Sequence, residues 1–290
     1  MPLVAHAVLF VVFVWWFATG AIIYLDGLPQ RTFKVSMVVA TVLLIAALHG
    51  LADASGDASA AGAYWAFTFA LIAWGWNEMG FLMGLITGPR DTACPPEAKG
   101  FTRFWFAVQA VIYHEAAIAL TGFAIWAVSA GGPNQVGVQT FALLWIMRLS
   151  AKINVYLGVP NITEEFLPPH LKYLKSYFRN APMNAVFPVS ITASTVLAVW
   201  LAQQACAPQA TAFDVTASGM LATLTILALV EHWFMVLPIP STALWQWGLA
   251  SHLANSANAA SEPPAPAPST QAATIVPFPA LTPATHRRRL

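Results

Sequence analysis

Charge is scarce in this chain. Asp, Glu, Lys and Arg together make up 9% of its 290 residues, where an ordinary soluble domain carries roughly 25%. A surface that poor in charge is not built for water. The net charge of +1 excludes a strongly basic nucleic-acid footprint, so no nucleic-acid partner is expected. Cysteine is nearly absent as well. Cys94 and Cys206 are the two in the chain; Cys94 precedes Pro95 and Cys206 lies two residues before Pro208, in loops expected on opposite sides of a bilayer. They have neither the reach for an intramolecular disulfide nor a metal-ligand spacing.

What fills the chain is apolar: 58% of residues are hydrophobic and the mean hydropathy is +0.64. Crossing a hydrocarbon core takes about 20 residues in a helix. Seven runs reach that length, at 3–24, 34–54, 62–87, 102–129, 135–158, 184–205 and 213–237. Strand crossings would be about 10 residues long and alternate in polarity, which these do not. The fold class is therefore all-α, a polytopic membrane bundle of about seven transmembrane helices spanning residues 1–250. The first run lacks a basic leading segment and a small-residue cleavage site, so it reads as a retained helix. The stretch 241–249, with Leu244, Trp245 and Trp247, reads as a short interfacial helix extending span seven. Residues 251–290 are rich in Ala, Pro, Ser and Thr and are expected to be a disordered tail.

The cations set an orientation. Arg31 and Lys34 fall between spans one and two, Arg90, Lys99 and Arg103 between three and four, and Lys172, Lys175 and Arg179 between five and six; Arg287, Arg288 and Arg289 close the tail. The alternate loops near 53–61, 130–134 and 206–213 contain no Lys or Arg. By the positive-inside rule the cationic face is cytoplasmic, which puts the N-terminus in the periplasm, the C-terminus in the cytoplasm and the protein in a bacterial inner membrane. On that face, 164–179 (EEFLPPHLKYLKSYFR) sets Leu171, Leu174 and Phe178 on one side and Lys172, Lys175 and Arg179 on another. It reads as an amphipathic surface helix with Tyr173 and Tyr177 at headgroup level, and with Asn161, Glu165 and His170 it forms a candidate partner-docking loop.

Ionisable groups inside a bilayer are expensive, so each is a candidate functional residue. Span three carries Asn77 and Glu78, span four His114 and Glu115, span five Arg148, Lys152 and Asn154, and span seven Glu231 and His232. Counted along the helices at 1.5 Å per residue, Glu78 and Arg148 each lie roughly 15 Å from the cytoplasmic end, and Glu231 and His232 lie within about two turns of it. The groups thus cluster toward the cytoplasmic leaflet, and a polar column right through the membrane, as a transporter would need, is not expected. Three readings stay open. One is an ion-pair network in which Glu78, Glu115 and Glu231 neutralise Arg148 and Lys152. The second is a metal site of Glu78, His114, Glu115, Glu231 and His232 in a membrane metalloenzyme, although Glu-x-x-His spacing is missing. The third is a pigment site with His114 or His232 as ligand to a bacteriochlorin magnesium; Ala110 and Ala228 four residues earlier leave room for a flat ring. His6 and His49 lie near the outer surface and suggest no chemistry. Gly80, Gly84 and Gly88 at four-residue spacing read as a helix-packing stripe. Trp15, Trp16, Trp65, Trp74, Trp76 and Trp105 read as bilayer anchors and core filling.

The segments NEMGFLMGLITGPR (77–90), YHEAAIALTG (113–122), RLSAKINVYLGVPNITEEFLPPHLKYLKSYF (148–178) and EHWFMVLPIP (231–240) resemble the PuhE family of photosynthetic-complex assembly proteins from purple phototrophic bacteria. The likeness covers roughly residues 1–250, and the long loop 157–178 is its most specific part. It implies an integral inner-membrane factor, non-enzymatic, that supports assembly of the reaction centre and light-harvesting complex and influences bacteriochlorophyll supply or delivery. The implied partners are membrane lipid and reaction-centre or light-harvesting subunits or pigment-synthesis enzymes. The implied cofactor is bacteriochlorophyll or a precursor. No catalytic residues carry over.

Overall fold

The structure is a computed structural model that describes residues 2–162, 167–239 and 241–252. Seven long helices occur among the described residues: α1 (Pro2–Asp26), α2 (Phe33–Ser55), α3 (Ala60–Leu82), α4 (Gly100–Ser129), α5 (Val136–Leu157), α6 (Val186–Ala205) and α7 (Ala212–Phe234). Six of them, all but α3, are long and apolar enough to cross a membrane, so the chain is an all-α, multi-pass membrane protein. The boundaries follow local chemistry. Ser59 caps α3 by accepting from the Gly62 amide at 3.1 Å, and Thr211 with Asp214 forms a reciprocal capping box at the start of α7.

Helix α3 falls short on hydropathy because it lies inside. Ala63, Phe67, Ala70 and Ala73 are completely buried, and α2, α5 and α7 pack around them. Small side chains let those neighbours approach closely, and a helix shielded by protein tolerates Asn77 and Glu78. The outer helices α1 and α2 instead turn Leu9, Phe13, Val35, Val38 and Val42 outward. At the end of the bundle whose loops lack Lys and Arg, Asn134 Nδ2 donates to the carbonyls of Ala54 and Asp57, both at 3.0 Å, tying the α4–α5 loop to the α2–α3 loop.

Helix α3 ends before its apolar run does. Span three was expected to run to 87, but α3 ends at Leu82: Gly84 takes φ 73 and the Leu85 and Ile86 amides both donate to the Gly80 carbonyl. This is the left-handed glycine ending that a residue with a Cβ resists. The chain then runs against α4, where Thr87 accepts from the His114 amide at 3.0 Å and the Arg90 amide reaches Gln109 O at 3.4 Å. A Cβ on Gly88 would stand 2.0 Å from Gln109 O. Gly80, Gly84 and Gly88 are therefore not a helical stripe: the first two make a helix stop and the third a backbone-to-backbone contact. Because His114 lies 14 residues into α4, about 21 Å of helix, this irregular backbone sits well up the bundle. Such backbone survives there only when buried by protein.

Helix α7 ends at Phe234 beside the middle of α1, since Glu231 meets Trp15. Residues 241–249 do not extend it. Ser241–Trp245 is a 3-10 helix and 246–252 are helical, and this strap lies along the lower half of α1. Trp16 Nε1 donates to Leu244 O at 2.8 Å, Trp245 Nε1 donates to Trp16 O at 3.1 Å, and a Cβ on Gly248 would meet Gly20 O at 2.6 Å. The expected disordered tail lies outside the described residues from 253 onward.

The loop expected as an amphipathic α-helix is instead a 3-10 helix, Pro169–Tyr177. Leu171 and Leu174 are buried and Lys172 is exposed, so the two-sided pattern holds. Tyr177, however, is 4% exposed and not at headgroup level. Contacts with the broken end of α3 and the start of α4 draw the segment inward. Glu165 lies outside the described residues.

Candidate functional site: charged side chains between two broken helices

Glu78 at the end of α3, Glu115 in the middle of α4 and Glu231 at the end of α7 are the acidic groups, and α5 supplies the cations. Arg148 Nη2 donates to Glu78 Oε2 at 3.1 Å. One turn further along α5, Lys152 Nζ donates to Glu115 Oε1 at 2.5 Å, and Trp145 Nε1 donates to the other Glu115 oxygen at 3.1 Å. The spacing of four residues between Arg148 and Lys152 puts both on one face of α5, where each meets a different helix. Lys152 also lies 5.5 Å from the centroid of the Phe81 ring, and the His114 imidazole packs against the same ring, centroid to centroid 4.5 Å. The ammonium is thus held by a carboxylate and an aromatic face together.

Glu231 stands apart from those pairs. Its Oε1 accepts from the Trp15 indole at 2.8 Å. Trp15 lies 11 residues before the end of α1, and Glu231 lies three residues from the end of α7, within the two turns counted along span seven. The partner was not legible as a pair, although a Trp indole in a span is a donor that must find an acceptor when packed.

His114 and His232 differ in what occupies their nitrogens. His232 Nδ1–H donates to Ala228 O at 2.9 Å, which leaves Nε2 to accept from the Ser150 hydroxyl at 2.9 Å. Ser150 and Ser190 are 3.0 Å apart, and Asn154 Nδ2 donates to Ser190 Oγ at 3.1 Å; Asn184 Nδ2 donates in turn to Asn154 Oδ1 at 3.1 Å. This polar seam joins α5, α6 and α7, and of its members the sequence singled out only His232 and Asn154. His114 is fully buried with neither ring nitrogen hydrogen-bonded.

The donor chemistry of His114 suits a magnesium ligand, but its surroundings do not suit a macrocycle. Phe81 lies against the ring and none of the residue is exposed. His232 has both nitrogens engaged. A bacteriochlorin therefore does not fit beside either histidine in this packing. The metal reading is corrected too. Among the described residues no three of His, Cys, Asp and Glu gather as a metal-binding group, because Glu78 and Glu115 are turned to separate cations and Glu231 to an indole.

The loop residues are tied into the chain itself. His170 Nε2 donates to Leu82 O at 2.8 Å, satisfying a carbonyl at the end of α3. Tyr177 accepts from Arg90 Nε at 2.7 Å and donates to Thr92 O at 2.9 Å, while Arg103 Nη2 reaches Tyr177 O at 2.7 Å. Asn161 Nδ2 donates to Leu237 O at 2.6 Å below α7. Tyr173 packs beside them, and its hydroxyl is pushed up from the usual phenol range by burial. The cation-bearing loops thus form one joined cap. Tyr177→Phe removes two bonds and leaves Arg90 Nε without that acceptor, and should lower stability by about 2 kcal/mol. Thermal unfolding in detergent reads this loss, and an unchanged midpoint would show that the cap contributes nothing.

These features define the class: a helical multi-pass membrane protein whose fifth helix is tied by ion pairs to the third and fourth. The profile of the family described as "Protein of unknown function (DUF3623)" matches residues 1–256, and the chain belongs to that family. It is similar to a Rhodobacter capsulatus protein described as "Uncharacterized 30.4 kDa protein in puhA 5'region", 41% identical over 249 residues that cover 83% of this chain and 89% of the relative. No solved structure matches the chain.

Proposed function

We propose that this protein is a membrane assembly factor for the photosynthetic reaction centre and light-harvesting complex and that it influences bacteriochlorophyll supply or delivery. The observation that carries this reading is the 41% identity, over most of both chains, with a protein encoded in the puhA region of Rhodobacter capsulatus. The resemblance of the 148–178 loop to PuhE proteins points the same way. The structure lends support in its division of labour. Internal contacts consume His170, Tyr177 and Asn161, which build a rigid cap from the cation-bearing loops, and exposed Lys172 projects from that cap. In the orientation set by the cations the cap is cytoplasmic, the N-terminus is periplasmic, and the membrane is the bacterial inner membrane. A rigid basic platform at the headgroup level is suited to docking a subunit or a pigment-synthesis enzyme.

The test is deletion of the gene in its phototrophic host, followed by quantification of assembled reaction-centre and light-harvesting absorbance in membranes. A several-fold loss, restored by the wild-type gene and not by Lys172→Glu, is the expected result. Normal complex levels in the deletion strain would overturn the reading. Purification from pigmented membranes separates its two versions: pigment retained by wild type and lost in His114→Ala would mean that Phe81 moves aside to admit a macrocycle.

A further inference from the structure

The strap along α1 ends on an ionisable contact. His252 Nε2–H lies 2.6 Å from Asp26 Oδ1 and 3.0 Å from Ile23 O. Asp26 is the last residue of α1, its side chain is 1% exposed, and its second oxygen, Oδ2, has no hydrogen-bond partner. A buried carboxylate is tolerated when a cation sits against it and is costly when it faces a neutral group. Among the described residues, the groups that act on this pair include the Ile23 carbonyl from α1 and His170 of the 3-10 helix, whose charge acts on Asp26.

We propose that residues 241–252 are a releasable strap, closed over the lower half of α1 while His252 is an imidazolium against Asp26 and opened when His252 loses its proton. The rest of the strap is shaped for reversible seating. Trp247 stacks on Phe17 at 6.1 Å and occupies the space a Cβ on Gly20 would take, and Gly248 rests on the Gly20 backbone. These contacts are apolar, and two indole-to-carbonyl bonds, at Trp16 and Trp245, add to them. The consequence reaches the charged site. Trp245 stands edge-on to Trp15 at 5.1 Å, and Trp15 is the indole that holds Glu231. Opening the strap uncovers the indole that holds the Glu231 carboxylate.

The sign of the pH effect follows from the pair. The Asp26 hydrogen bond and charge hold His252 above its ordinary value of 6.5. The stabilisation is therefore complete below about pH 6.5 and is lost as pH rises through the elevated value.

Double electron–electron resonance on the full chain in lipid nanodiscs tests this. Spin labels go on Ala52→Cys and Ala250→Cys, both exposed positions, in a background with Cys94→Ser and Cys206→Ser. The expected result is one narrow distance distribution at pH 6 and a second, broad population at pH 9. His252→Gln should be broad at both pH values. Asp26→Asn removes the buried charge and should erase the pH response. Identical wild-type distributions at pH 6 and pH 9 would overturn the strap, as would a pH response that persists in His252→Gln.

Discussion

Lys152→Met should destabilise the protein by about 3 kcal/mol, toward the low end for breaking a buried ion pair because both partners are about one-fifth exposed. The loss comes less from the missing attraction than from what is left behind. Glu115 keeps the Trp145 indole but no cation, in a helix whose surroundings are protein and lipid. Arg148 cannot step in without abandoning Glu78. The double variant Lys152→Met/Glu115→Gln removes both charges and should recover most of the loss, to within about 1 kcal/mol of wild type. Thermal unfolding in detergent, followed by circular dichroism, gives the comparison. If the single variant unfolds at the wild-type temperature, the pair contributes no stability. If the double variant is as weak as the single, geometry and not charge is what Lys152 provides.

Gly88→Val should be the most damaging substitution outside the charged site, at about 4 kcal/mol or more. The new Cβ would stand 2.0 Å from the Gln109 carbonyl oxygen, and neither partner in that clash is a flexible side chain. The segment must move off α4, and with it goes the bond from the His114 amide to Thr87 O. Gly100→Ala is the control. Gly100 has φ 55 but nothing within 4 Å of a built Cβ, so only backbone strain of about 1 kcal/mol applies. Membrane abundance and thermal midpoint should separate the two variants clearly, and equal behaviour would mean that residues 83–92 do not pack on α4.

Much of the fold was legible because lipid makes a simple demand. Each apolar run must become a helix, and runs separated by turn residues must alternate in direction. Six of the seven expected spans therefore match observed helices to within about three residues at each end. The misreading has one cause. In span three, Gly84 and Gly88 looked like a packing stripe because their spacing suits a helix, yet the same glycines permit a left-handed stop and a backbone contact. Local sequence does not say which, and the approach of α4 decides.

Within the charged site, the pairing of Glu78 with Arg148 was legible from matched depths, and that of Glu115 with Lys152 only as one possibility among several. The tryptophan donors, the serines and asparagines of the seam and the His252–Asp26 contact were not, since each joins residues far apart in the chain through side chains common in any membrane protein. Sequence alone determined that the chain enters a bilayer, how many times it turns, and which loops share a face, because these depend on composition and charge summed over long stretches. Only the tertiary structure decided where α3 and α7 break and which carboxylate meets which donor. Those outcomes turn on distances of a few ångströms between elements that no local pattern encodes.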